Sequence, residues 1–299
     1  MRKAFLPIVV LCAVVAAMIA AQDRPSSAGP SPRLAKPYVP DFKRVMIVVF
    51  ENADYDDAIK QPFFASLASR GALLDHFTAE AHPSQPNYVA LISGSTQGVK
   101  HDANTTVDVT HVGDLLEDKG LQWKVYAEDY PGNCNLDEQQ GYYVRKHVPF
   151  LSFLDVQTNP ARCSRIVDAS QLPVDIKNGA IPTYSLYIPN LLNDGHNTGA
   201  DYADKWFSTK FGPLLNNRAF MKGLLLIVTF DESQSKVDDA GITNHILTIL
   251  VGDGVEPGAV SHASYDHYSL LRLVEDRFDL GHLNLNDALA TPIDDIWKK

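Results

Sequence analysis

Two continuous apolar runs stop abruptly at oxygen-bearing side chains, and they constrain what this chain can fold into more than any other feature. Val45-Met46-Ile47-Val48-Val49-Phe50 is followed at once by Glu51-Asn52, and the run from Leu224 to Phe230 by Asp231-Glu232. An unbroken β-branched run has no polar face, so each reads as a strand covered on both sides, the habit of parallel sheets. Strands that end in carboxylates deliver them to the sheet edge where ligands bind in open α/β folds. If the two strands lie close together, Glu51, Asp231 and Glu232 bring three carboxylates, and Asn52 an amide, to one point. Such a cluster repels itself unless a cation sits in it, and hard divalent cations prefer oxygen donors. Ordinary strand-end polarity accounts for either pair alone and less well for both together.

The remaining segments fill in the architecture. Phe63 to Arg70 has helical spacing and stops at Gly71; Asn87 to Ile92 reads as the opening of a helix closed by Ser93-Gly94; Val112 to Lys119 is a short amphipathic helix ended by Gly120. Strand-like runs occur at Trp123 to Tyr126, Thr183 to Ile188 and Ile246 to Val251. Ser269 to Phe278 then forms a helix with Leu270, Leu271, Val274 and Phe278 on one face. Alternating strands and helices imply an α/β fold, with a mostly parallel central sheet and helices on both faces. Residues 129–180 are rich in Pro, Gly, Asn and aromatic residues without a regular period. They read as an irregular insertion in a single domain, 42–299, with Tyr130, Tyr142, Tyr143 and Phe150 placed to shape a substrate entrance.

The amino terminus addresses the compartment. Met1-Arg2-Lys3 is basic and Phe5 to Ala21 is apolar with small residues at its end, the pattern of a secretory signal over residues 1–21. A membrane anchor is the alternative, since the apolar run is at the short limit for a span. Val9 and Leu11 ahead of Cys12 do not fit a lipoprotein signal. Residues 22–41 read as a flexible leader rich in Pro, Ser and Lys. Loss of Arg2 and Lys3 with the signal takes the net charge from −10 to −12. That balance argues against nucleic acid or an anionic membrane surface as the main partner. The mature chain keeps Cys134 and Cys163, which in an exported protein favours a disulfide. The expected location is therefore secreted or periplasmic, with no stable membrane span after signal cleavage.

A nucleophile candidate lies in His82-Pro83-Ser84-Gln85-Pro86-Asn87-Tyr88. Ser84 sits at a helix start, where free N–H groups and the helix dipole favour an anion, so an alkoxide or an attached phosphoryl group is stabilised there. Serine is also a preferred helix cap, and the two roles are compatible. His147, His196 and His267 are further donors, none in a spacing that identifies a metal site by itself.

At these residues the chain resembles the phosphoesterase family of the alkaline phosphatase superfamily, the branch with acid phosphatases and phosphatidylcholine-type phospholipases C. The likeness runs from about Val45 to Leu283. It is carried by Val49-Phe50-Glu51-Asn52, His82 to Tyr88 with Ser93-Gly94, Trp123 to Glu128, Pro189-Asn190 with Asn193-Asp194-Gly195-His196, Thr229 to Ser233, and His267 to Arg272 with Glu275-Asp276. The resemblance implies an alkaline phosphatase-like fold and a covalent phosphoseryl mechanism with Ser84 as nucleophile. It implies a metal site at Glu51, Asn52, Asp231 and Glu232, and phosphate-holding roles for His147, His196 and Asn104. Ser84 also takes the place of the threonine nucleophile in the related nucleotide pyrophosphatases/phosphodiesterases. Glu232 stands where two-zinc members carry histidine, which favours one divalent metal ion, and His267 is left as a second-site ligand or a phosphate donor.

The expected function is that of an exported, metal-dependent hydrolase of phosphoric monoesters acting on a small phosphorylated substrate. The chain ends soon after its last core helix, which favours a small monoester over a lipid. A phosphodiesterase or phospholipase C of the same family is the first alternative. A non-catalytic exported binding protein on this scaffold is the second, and a structural calcium site at the acidic pairs a third.

Overall fold

A computed structural model describes residues 37–238 and 240–299; the expected signal over residues 1–21, and the expected leader as far as residue 36, lie outside the described residues. The strands, numbered in chain order, are β1 Arg44–Phe50, β2 Ala72–Thr78, β3 Trp123–Ala127, β4 Gln139–Gln140, β5 Tyr143–Val144, β6 Ile166–Asp168, β7 Tyr184–Ile188, β8 Leu224–Phe230, β9 Thr248–Gly252 and β10 Ala259–Asp266. Eight of them form one sheet in the order β10-β2-β9-β8-β1-β7-β3-β6, and β4 and β5 form a separate hairpin. Within the large sheet β9 runs antiparallel to β2 and β8, and the other pairings are parallel.

The two runs that end in carboxylates are neighbours. β1 and β8 pair in parallel along their whole length, with Phe50 opposite Phe230. Both are central, and every residue of β8 is buried, as a strand sandwiched between helix layers requires. The edge strands read differently: β10 alternates buried and exposed residues, and β6 buries only Ile166.

Helices cover the sheet through apolar stripes. Helix Pro62–Arg70 starts on a proline in its first turn and buries Phe64, Leu67 and Ala68. It stops at Gly71, where a Cβ would come within 2.2 Å of the Leu250 carbonyl oxygen, so only glycine fits that approach. Helix Ala200–Leu215 buries Ala203, Phe207, Phe211 and Leu215, spaced by four. Its Trp206 and Phe207 rings meet Phe50 edge-on at 5.9 and 5.4 Å. From the same helix, buried Asp204 accepts hydrogen bonds from the Phe63 and Phe64 amides, capping the neighbouring helix across 3.2 and 2.7 Å.

The stretch 129–180, read as irregular, carries more order than its sequence shows. It contains the β4–β5 hairpin, two 3₁₀ turns at Arg145–His147 and Pro149–Ser152, the edge strand β6 and helix Gln171–Asn178. Cys134 and Cys163 are joined by a disulfide with 5.5 Å between Cα atoms, closing the loop after β3 onto the short helix Pro160–Cys163. Phe150 faces no entrance: it is buried and stacks on Trp123 at 4.0 Å, because the 3₁₀ turn folds it onto β3. Tyr130 and Tyr143 are buried as well, and Tyr142 is exposed.

Helix Gln171–Asn178 is tied to β3 by Asp175, which accepts from Lys124 Nζ at 2.5 Å, the Tyr126 hydroxyl at 2.7 Å and Gln171 Nε2 at 2.9 Å. Burial alone would raise this carboxyl; Lys124, Gln171 and Tyr126 together outweigh it and hold the group below its ordinary 3.8. A depressed carboxyl contributes stability that is complete above pH 3.8 and is lost as the pH falls through the lower folded value. Asp175→Asn is therefore expected to cost about 1–3 kcal/mol in urea denaturation at pH 7, with a narrower gap to wild type at pH 3. An equal gap at both pH values contradicts this.

Candidate active site

The register of β1 and β8 sets the geometry. Past Phe50 and Phe230 the chains turn outward together: the Asp231 amide donates to the Phe50 carbonyl, and the Asn52 amide to Asp231 Oδ1 at 3.2 Å. Asn52 adopts φ 44°, a conformation asparagine tolerates better than most side chains, which folds it back over the strand end. Glu51, Asp231 and Glu232 thereby come together, each presenting an oxygen within 4.8 Å of the others, and all three are buried.

Ser84 enters from the other side. The loop after β2 is closed by Asn87, whose side chain accepts from the Glu80 and Ala81 amides and donates to the Ala81 carbonyl at 2.8 Å. Helix Ser84–Ser93 begins directly behind this loop, and all ten of its residues are buried. The cap position belongs to Pro83 and no side chain caps the helix, so the reading of Ser84 as a cap is corrected. Its hydroxyl instead donates to Glu51 Oε1 and lies 3.1 Å from Glu232 Oε1.

The charge balance of this cluster is unusual. Buried Asn52 Oδ1 and Asp231 Oδ2 have no hydrogen-bond partner among the described residues. Glu51 Oε2 faces His147 Nε2, and Glu232 Oε2 faces His82 Nδ1. Burial, then Glu51 and Glu232, push the Asp231 carboxyl well above its usual range. Burial raises Glu232 too, to about 7, against the hydrogen bond from Ser84. Burial likewise opposes ionisation of Glu51, but His147, Lys146 and Ser84 overcome it and hold that group at about 2. Acidic oxygens pressed together with an amide oxygen, two of the set without donors, fit a divalent cation in number and chemistry. Glu51, Asn52, Asp231 and Glu232 are the residues that would hold it.

Three residues at the cluster carried no role in the sequence. Lys146, on the 3₁₀ turn Arg145–His147, places Nζ 3.4 Å from Ser84 Oγ, 3.9 Å from Glu51 and 2.7 Å from Asp102. Asp102 also accepts from the Gln85 amide at 3.0 Å, so it ties that lysine to the first turn of the Ser84 helix. Buried Asp194 lies 3.6 Å from His147 Nδ1, and burial followed by Glu51 raises its carboxyl to about 8. A fourth, Tyr88, stacks on His147 with 5.0 Å between ring centres and had been noted only as part of its motif.

The other expected site residues fall as follows. His147 is at the cluster but against Glu51 and Asp194 rather than beside Ser84. His196 follows two residues after Asp194 and is exposed, with Nδ1 2.7 Å from Asn197 Oδ1. Asn104 is exposed on the loop that carries Asp102. His267 is buried at the start of helix His267–Phe278. Its Nδ1 lies 2.6 Å from Glu80 and its Nε2 3.0 Å from the Phe230 carbonyl, so both ring nitrogens are engaged. It braces the end of β8 from behind.

The sequence profile of the Phosphoesterase family matches residues 55–281. The chain is 36% identical over 266 residues to a probable acid phosphatase of Kluyveromyces lactis, which covers 85% of this chain and 62% of that protein. It is 33% identical over 273 residues to a phosphatidylinositol-3-phosphatase of Mycobacterium tuberculosis, covering 90% of this chain and 87% of that protein. Among solved structures, an alkaline phosphatase superfamily protein from Vibrio parahaemolyticus superposes with a TM-score of 0.59 at 13% identity, over 86% of this chain and 72% of that one. The chain has the fold of the alkaline phosphatase superfamily, and it belongs to the Phosphoesterase family.

Proposed function

We propose that this protein hydrolyses phosphoric monoesters in the manner of an acid phosphatase, with Ser84 attacking phosphorus to form a phosphoseryl intermediate. The observation that carries the reading is the position of Ser84 Oγ. It heads a buried helix, donates to Glu51, lies 3.1 Å from Glu232 and has the Lys146 ammonium 3.4 Å away. One divalent cation held by Glu51, Asn52, Asp231 and Glu232 would supply Lewis-acid stabilisation of developing negative charge.

The side chains of the chain do the rest. The Ser84 hydroxyl donates to Glu51 and is flanked by Glu232 at 3.1 Å, so this carboxylate pair receives its proton as the oxygen attacks and passes it to the departing alcohol. As the Oγ–P bond forms, the bond to the leaving alcohol breaks, and water later attacks the same phosphorus to release phosphate and restore Ser84. Burial works against the charge on Lys146, but Glu51 and Asp102 more than offset it and keep it protonated. That ammonium faces the place where the phosphoryl oxygens gather charge. His147, gripped between Tyr88, Glu51 and Asp194, positions Glu51 rather than touching the phosphoryl group.

The chain spans 60–64% of the length of the fungal acid phosphatases it matches, so their activity is carried over as part of this proposal. The relative of similar length is a phosphatidylinositol-3-phosphatase, and that substrate class also presents a phosphomonoester. Export belongs to the proposal as well, supported by the Cys134–Cys163 disulfide, which persists in oxidising compartments.

Two experiments test the reading. Chelated protein is assayed on a chromogenic phosphomonoester and its diester counterpart while divalent metals are returned one at a time. Metal-restored monoester turnover is expected, falling at least about 10³-fold in Ser84→Ala. Turnover of the diester alone replaces the monoester reading, and full activity in Ser84→Ala removes the nucleophile. Second, Lys146→Met is expected to lower kcat/KM about 10²-fold with unchanged thermal unfolding, and Lys146→Arg to recover part of it. Wild-type kinetics in Lys146→Met contradicts the role given to its charge.

A further inference from the structure

A second cluster of acidic and imidazole groups lies at the opposite end of the Ser84 helix and takes no part in the proposed chemistry. Glu275 is in the last turn of helix His267–Phe278, and its side chain is fully buried. Asp287, in the short helix Asn286–Leu289, is fully buried too. Between them in sequence, His282 lies on the connecting loop with its side chain 31% exposed. Its Nδ1 lies 2.8 Å from Glu275 Oε2 and 4.0 Å from Asp287 Oδ2, and one donor atom from each of the three residues falls within 4.8 Å of the others.

The positive charge at hand, that of His282 alone, falls short of these carboxylates. Glu275 Oε1 and Asp287 Oδ2 are buried without a hydrogen-bond partner among the described residues. Asp287 Oδ1 is taken by the Leu285 amide at 2.9 Å. The nearby Arg272 points elsewhere, to Asp276 at 3.4 Å and to the Ala290 carbonyl. Asp276 in turn adds a third carboxylate 3.8 Å from His282 Nε2. His282 can supply at most one positive charge, and only by keeping the proton that blocks its lone pair. Burial, then Asp287, push the Glu275 carboxyl up to about 9 against a hydrogen bond from the Leu283 backbone, so without a cation Glu275 keeps a proton and shares it with Asp287.

We infer that Glu275, His282 and Asp287 form a structural site for a first-row divalent cation of the Zn2+ type, separate from the Ser84 cluster. One imidazole and two carboxylates suit such a metal better than Ca2+, which favours an all-oxygen shell. A tetrahedral arrangement needs donor atoms about 3.3 Å apart, so the present separations close with small side-chain movements. The exposed edge of His282 gives the ion a way in. The site joins three pieces of the fold: the end of helix His267–Phe278, the segment that follows it, and the far end of the helix headed by Ser84. Asn286 donates to the Gly94 carbonyl from its backbone at 3.0 Å and its side chain at 3.1 Å. Gly94 has φ 69°, and a Cβ there would come within 2.4 Å of Asp287 Oδ1, so Asp287 is pressed against the turn that ends the Ser84 helix. That turn is about 15 Å from Ser84 along the helix. An ion at this site would therefore act on the anchorage of the nucleophile helix without touching substrate.

The test uses tag-free, full-length protein stripped with chelator, passed through a desalting column and supplied separately with Zn2+, Mn2+ or Ca2+. Bound metal per chain and thermal midpoint are measured for wild type, Asp231→Asn, His282→Gln, and the double variant. Zn2+ is expected to bind Asp231→Asn with a raised midpoint, and His282→Gln to hold one equivalent fewer than wild type. In the double variant the Zn2+ affinity should be at least about tenfold weaker than in Asp231→Asn. These readouts are independent of turnover, so failure of the phosphatase reading leaves them unaffected. Equal Zn2+ binding in wild type and His282→Gln overturns the inference, as does a preference of Asp231→Asn for Ca2+. If His282→Gln does not fold, absence of Zn2+ binding and of any midpoint shift in Asp231→Asn overturns it on its own.

Discussion

Three carboxylates buried side by side at the ends of two paired strands are the constraint around which this molecule is arranged. Ionised carboxylates in a site closed to water repel one another and lose hydration, and each effect alone costs several kcal/mol. The fold holds them there because β1 and β8 are adjacent, parallel and in register to their last residues. Phe50 and Phe230 are core residues locked between Phe64, Trp206 and Phe207, so the strand ends cannot drift apart to relieve the repulsion. Rigid apolar packing on one side of Phe50 is thus what forces polar convergence on the other. A cation is the group that turns such an arrangement from a cost into a binding site.

The placement of Ser84 depends on the same scheme. A helix whose ten residues are all buried cannot be placed by an amphipathic stripe, and its position comes from its two ends. At the head, Asn87 folds the preceding loop and Asp102 holds the Gln85 amide. At the tail, Gly94 turns left-handed beneath Asp287. His267, engaged on Glu80 and on the Phe230 carbonyl, links the loop before Ser84 to the strand that carries Asp231. Ser84 and the carboxylates are therefore braced against each other through buried polar contacts rather than through surface loops, which favours a preorganised site.

Much of this was legible in the sequence because its signals were local. Val45–Phe50 and Leu224–Phe230 announced themselves as buried strands, and the acidic residues directly after them needed only to be neighbours, which the sheet order confirms. The helix Ala200–Leu215 was legible in principle from the four-residue spacing of Ala203, Phe207, Phe211 and Leu215, but Pro213 and scattered charges obscured it. β2 and β10 were missed because edge-side strands mix polar and apolar residues: Asp75, His76 and His262 fall within them. The segment 129–180 hid the edge strand β6 and helix Gln171–Asn178 because short elements held by a disulfide and by Asp175 need little periodicity of their own. Asp194 was visible only as one residue of the Asn193-Asp194-Gly195-His196 motif, and Lys146 and Asp102 carry no signal in one dimension. Each reaches the cluster from a turn or loop outside the regular strands and helices, and an isolated lysine or aspartate there looks like solvated surface.

The most direct test of the account is an anomalous-difference map from a crystal of the protein loaded with Mn2+ or Zn2+, collected at the metal edge. The account predicts a peak bonded to Glu51, Asn52, Asp231 and Glu232 with Ser84 Oγ in its coordination sphere. A fully loaded crystal without density among those residues, or with the ion held by His147 and Asp194 alone, would contradict it.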